Sequence, residues 1–264
     1  MRPLLLALTS ALLAGAAQAQ PQPALPAYAA VAPLVAGTVI VGPSDSRITG
    51  SGRAIDEVRP VSTFSAVRVS GPIDVELRAS GREQVTVRFD DDLQSMIETR
   101  VESAETPTLE IRVMPGAAFK SRHTPKVVIE FKAISALSLH GSGDALVDGV
   151  SGPLFALAVA GSSDVRARNL NLDILGVSIS GSGDLVASGR AAEQGYSIAG
   201  SGDVRALELP GRTVKVRIAG SGDAQVHAED LLDVSIAGSG DVIYRGTPVI
   251  RKRVAGSGEV RPAR

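Results

Sequence analysis

The chain has 264 residues, of which 27 are basic and 28 acidic, so its formal net charge is -1 and no bulk field draws it to nucleic acid or to an anionic membrane. Cysteine and tryptophan are absent and aromatics make up 3% of the residues. These counts exclude a disulfide framework, a thiolate metal site, a cysteine nucleophile and a lipid-anchored N-terminal cysteine, and they favour thin aliphatic layers over a core filled by rings.

In chain order, the first segment reads as a secretory signal. Arg2 gives the positive start, Leu4 to Leu13 the apolar stretch, and Ala17-Gln18-Ala19 an A-x-A cleavage site. The expectation is a signal peptide over 1–19 and a mature chain starting near Gln20, in the periplasm or at the cell surface of a Gram-negative bacterium. No charge occurs between Arg2 and Asp45, which leaves an uncleaved N-terminal anchor as the alternative; Pro21, Pro23, Pro26 and Pro33 weigh against a spanning helix. Residues 20–45, rich in Pro and Ala, read as a linker.

Residues 46–136 show period-two alternation, which predicts short strands at Phe64 to Val69, Ile73 to Leu77, Val85 to Phe89, Leu109 to Val113 and Val127 to Phe131. Asp90-Asp91-Asp92, succeeded by Leu93, Met96 and Ile97, predicts a short helical turn with the three aspartates as a solvated cap rather than a metal site. This region is expected to cover one end of the repeats that make up the rest of the chain.

Residues 137–264 repeat. Gly-Ser-Gly-Asp plus an aliphatic residue begins at Gly141, Gly181, Gly200, Gly220 and Gly238, with one-residue variants at Gly161 and Gly256. The seven starts are 20, 20, 19, 20, 18 and 18 residues apart, and a fixed period of this length means a stacked array. Two residues before each glycine stand Leu139, Val159, Ile179, Ile198, Ile218, Ile236 and Val254. Four before stand Leu137, Leu157, Val177, Tyr196, Val216, Val234 and finally Lys252. Small or polar residues lie between, so each repeat enters its turn on a strand with one face inward. The prediction is an all-β, right-handed parallel β-helix-like solenoid with coils of 18–20 residues and aliphatic ladders down its axis. A propeller blade needs about 40 residues. Lys252, Arg253, Arg261, Pro262 and Arg264 mark the last coil as an end cap.

At the turns, Gly141, Gly181, Gly200, Gly220 and Gly238 are read as structural, supplying positive φ, and the aspartates beside them as caps of turn amides. The alternative for Asp144, Asp184, Asp203, Asp223 and Asp241, with Asp164 and Glu259, is an acidic ladder that takes calcium. Turn chemistry suffices, so no cofactor and no metal are expected. His140 and His227 occupy unmatched positions in different coils and read as surface or packing residues. No Gly-x-Ser-x-Gly elbow occurs, so a nucleophilic serine has no support.

These repeats, with Gly50-Ser51-Gly52, the Arg59, Val61, Phe64 start and the closing Tyr244 to Pro248 and Gly256 to Val260 segments, resemble the head GIN domain family of putative auto-transporter adhesins. The likeness runs from about Gly50 to Arg264. It implies an exported β-helical fold and an adhesion role, and it brings no catalytic residues. No membrane β-barrel comes after Arg264 in this sequence, so a self-sufficient autotransporter is not expected.

The reading is therefore an exported non-enzymatic envelope protein, an adhesin or structural binding module, whose partner is an envelope or surface protein or polysaccharide. The alternative is a polysaccharide lyase or hydrolase on the same fold, which would need paired carboxylates gathered in one groove.

Overall fold

A computed structural model describes residues 48–103 and 105–264. The expected signal peptide, its alternative as an anchor, and the expected linker fall outside the described residues.

The first described strands are β1 (Ile48–Thr49), β2 (Ala54–Arg59), β3 (Ala66–Gly71), β4 (Asp74–Ala79) and β5 (Gln84–Asp90). A single 3₁₀ turn, Gln94–Met96, leads to β6 (Ile97–Glu102), β7 (Thr108–Val113), β8 (Phe119–Lys120) and β9 (Lys126–Phe131). The repeats continue as β10 (Ala136–Gly141), β11 (Ala145–Asp148), β12 (Ser151–Gly161), β13 (Val165–Gly181), β14 (Leu185–Gly200), β15 (Val204–Gly220), β16 (Ala224–Gly238), β17 (Val242–Arg245), β18 (Val249–Gly256) and β19 (Val260–Pro262). The five strands expected before residue 136 all appear, along with the short helical turn. β1, β2, β6 and β8 are additional.

The repeats stack in parallel and in register, as the 20-residue period requires. Leu139 pairs Val159, which pairs Ile179, and the column continues through Ile198, Ile218, Ile236 and Val254. Except for Val254, these side chains are buried. The protein is a β-solenoid. Its coils are joined less by separate short strands than by long ones: β13, β14, β15 and β16 run 15 to 17 residues between successive glycine turns.

The region before residue 136 is more than a cover. β3 pairs β10 with Val69 opposite Leu139, and β4 pairs β11 with Val75 opposite Ala145. Gly71-Pro72-Ile73-Asp74 therefore lies under Gly141-Ser142-Gly143-Asp144 as one more, degenerate, coil turn. β7 and β9 form a further layer on the other side of β3 and β4, with Ile111 opposite Val69 and Val127 opposite Val75. The inward column thus has nine members: Ile111, Val69, Leu139, Val159, Ile179, Ile198, Ile218, Ile236 and Val254. Its spatial order departs from chain order at the base, because β3–β4 is held between β7–β9 and β10–β11. The antiparallel part is the true cover: β6 pairs β7, while β5 pairs both β9 and β2. Turning the sheet antiparallel there satisfies edges that would otherwise offer free amides and carbonyls.

At the other end β18 is exposed along its whole length. Lys252 takes the inward position next to Val234. A long ammonium side chain ends an aliphatic column because it keeps its head in water while its stem lies on the apolar layer beneath.

Candidate functional site

The Gly-Ser-Gly-Asp column is the most regular feature. At the first glycine of each turn φ lies between +128° and +145°, and a Cβ would fall 1.9 to 2.5 Å from the glycine carbonyl oxygen of the coil beneath. Glycine is required twice over, by backbone angle and by the close approach of successive turns. The serine amide donates to that same carbonyl, as in Ser182 N to Gly161 O at 2.9 Å and Ser201 N to Gly181 O at 2.9 Å. At the third position the glycines again face carbonyls of the coil below, with Ser163 the buried exception in its coil.

The aspartates do not cap amides of their own turn. Each accepts the backbone amide of its counterpart one coil ahead. Asp144 N donates to Asp74 Oδ1, Asp164 N to Asp144, Asp184 N to Asp164, Asp203 N to Asp184, Asp223 N to Asp203, Asp241 N to Asp223 and Glu259 N to Asp241, at 2.7 to 3.2 Å. Like charges one strand spacing apart repel. Here each carboxylate faces an N–H dipole, and Arg205 bridges Asp184 and Asp203 at 3.0 and 3.1 Å. Among the described residues no group of three or more His, Cys, Asp or Glu side chains converges to hold a metal ion.

The Asp90-Asp91-Asp92 reading needs correction. Asp90 is fully buried. Its Oδ1 meets His123 Nδ1 at 2.6 Å, and its Oδ2 accepts from Ser121 Oγ at 2.8 Å and from Gly52 N at 3.3 Å. Hydrogen bonding to His123, reinforced by Ser121 and Gly52, holds its carboxyl below the usual range despite burial. Asp91 pairs with Ser51 and Arg53, and Asp92 accepts the Ser51 amide at 3.0 Å. The three aspartates are a clasp that fastens Gly50 to Arg53 onto the body. Alternation cannot distinguish such a clasp from a solvated cap, because its partners lie about 40 residues away.

His140 stacks between Ser70 and Ala160. Its Nε2 is buried without a hydrogen-bond partner, and burial, with Arg68 nearby, pushes the imidazole pKa down. His227 is half-buried, with Nδ1 3.2 Å from the Leu207 carbonyl. The two do not meet, as their unmatched positions predict.

One corner breaks the regularity. A groove of about 590 Å³ is lined by residues of successive coils, among them Asn171, Asp173, Arg190, Pro210, Arg212 and Glu229. None of these stands out in the sequence. The available signals were the shortening of the coil from 20 to 19 residues between Gly181 and Gly200, and a polar Gln194 in the column of Leu175 and Val214.

Stacked coils, the glycine–aspartate column and the alternating base can be compared with known proteins. The model of the family described as "Putative auto-transporter adhesin, head GIN domain" matches residues 63–248. The chain belongs to that family. A solved putative adhesin from Bacteroides fragilis superposes on this GIN domain with a TM-score of 0.74 at 22% identity, covering 82% of this chain and all of the other. A putative adhesin from Parabacteroides merdae gives 0.67 at 20% identity, covering 83% and 99%. A protein from Parabacteroides distasonis described as a putative lipid binding protein gives 0.68 at 25% identity, covering 83% and 100%. At such identities the likeness speaks for the fold. No curated protein matches the chain. The family and these neighbours carry the names of adhesins or of a lipid-binding protein, not of enzymes, and an adhesin family points to an extracellular or envelope location.

Proposed function

We propose that the chain is an exported, non-enzymatic adhesin or binding module of the cell envelope, which uses the side of its solenoid as a rigid contact surface. The observation that carries this reading is the in-register stack. Nine layers at about 4.8 Å extend the stack to roughly 40 Å, and the outward rows that alternate with the inward column are fixed in spacing by the ladder behind them. A surface that is ordered before contact loses little conformational entropy on binding, which suits adhesion.

The groove residues fit binding better than cleavage. Asp173 and Glu229 are its two carboxylates, and three strand spacings separate their coils, about 14 Å of backbone. Glycoside hydrolysis works with carboxyl groups about 5 to 9.5 Å apart.

The test is attachment. Beads coated with folded chain are expected to adhere to envelope or host-cell surfaces more strongly than beads coated with heat-unfolded chain, and fractionation should find the cleaved protein outside the cytoplasm. Equal attachment of both bead types, or a cytoplasmic full-length chain, would overturn the reading.

A further inference from the structure

The corner groove is built over a break in the sheet. Between β14 and β15 the ladder runs to Ser188–Glu208 and resumes only at Glu193–Thr213, and between β15 and β16 the register shifts on both sides of Pro210–Gly211. Beneath this break the interior turns polar. Gln194, 1% exposed, donates Nε2 to Leu209 O at 2.8 Å and to Ala191 O at 3.1 Å, and Tyr196, also buried, donates its hydroxyl to Gln194 Oε1 at 2.8 Å. A side chain thus satisfies carbonyls that a regular ladder would satisfy from the backbone. A Cβ on Gly211 would stand 2.4 Å from Gln194 Nε2, so the lip of the groove rests on the same amide. Regular coils need none of this. Two buried polar side chains in otherwise aliphatic columns maintain the irregularity, and irregularities of this kind gather at binding sites.

The groove also keeps its charges apart. Arg190 donates Nη2 to Asn171 Oδ1 at 3.2 Å, and among the described residues neither Arg190 nor Arg212 makes an ion pair, although Asp173 and Glu229 line the same groove. Guanidinium forks on neighbouring coils match carboxylates in bidentate geometry. The amide and carboxylate side chains beside them accept from hydroxyls, and Pro210 adds an apolar surface. Carboxylates and hydroxyls alternating along an extended polymer are the chemistry of an acidic polysaccharide.

We propose that this groove binds a uronic-acid oligosaccharide, with Arg190 and Arg212 holding its carboxylates; the assignment rests on the binding role proposed above. Calorimetric titration with oligogalacturonate and with its methyl ester tests it. The acid form should bind, the ester at least about 10-fold more weakly, and the exposed double variant Arg190→Gln/Arg212→Gln should lose at least about 10-fold for the acid while its melting temperature holds. Equal binding of acid and ester, unchanged binding by the double variant, or no binding of oligogalacturonate would overturn the assignment. Bead attachment that persists in the last case would leave the adhesin reading standing and remove only the groove's ligand.

Discussion

At the residue scale the aspartates matter most, because each belongs to two coils. Asp203 accepts the Asp223 amide at 2.9 Å and is bonded by Arg205. Replacing it by Ala strands that amide and should cost about 1 kcal/mol in urea unfolding, while Asp203→Asn keeps an acceptor oxygen and should cost less than half as much. With one oxygen of each aspartate already taken by an amide, added calcium or EDTA is expected to leave the melting temperature unchanged. A half-buried imidazole and a buried carboxyl both contribute to the protein's acid response. His140 has a folded pKa below its unfolded value near 6.5, so the unfolded chain takes up a proton that the folded chain resists; stability is full above about pH 6.5 and falls as pH drops through it. Asp90 acts lower. Its depressed pKa adds stability above the unfolded value near 3.9, and that stability disappears as pH falls towards the folded value. Denaturant midpoints at about pH 7.5 and 5.5 should therefore differ in the native chain and differ less in His140→Ser, since serine already occupies the neighbouring position 70.

At the element scale the controlling contacts are backbone on backbone at the turns. A Cβ on Gly200 would sit 2.3 Å from Gly181 O, and φ there is +133°. Gly200→Ala should cost about 2–4 kcal/mol, well above the cost of Asp203→Ala, and thermal melts can rank the two. The strands themselves were legible: the alternation of Val67 and Val69, or of Val177 and Ile179, reflects which side chains face the core. Contacts between distant segments stayed hidden in the sequence. Nothing in Gly71-Pro72-Ile73-Asp74 announces a coil turn, because Pro and Ile replace Ser and Gly; only the register against Gly141 reveals it. The clasp at Asp90 and the plug at Gln194 were missed for a related reason. Each is polar and buried, and each depends on a distant segment: Asp90 on Gly52, Ser121 and His123, and Gln194 on the Leu209 carbonyl of the next coil.

For the whole molecule, stability is a sum over neighbouring coils, so lengths matter in units of one circuit. Removing residues 220–237 would bring Gly238 into the place of Gly220, which stacks on Gly200, and should leave a folded solenoid with a lower melting temperature. Removing residues 220–228 alone would set aliphatic rows against polar ones and should abolish the cooperative transition. Circular dichroism of the two deletions separates these outcomes.

The amide-to-carboxylate bonds also have a direction. In all seven the acceptor stands on the earlier coil and the donor on the later one. The base, with its antiparallel cover, is complete by Phe131, before the first repeat begins. A chain folding from its N-terminus would thus lay its foundation first and then offer each new turn a waiting oxygen, so that growth of the stack has one direction built into its hydrogen bonds.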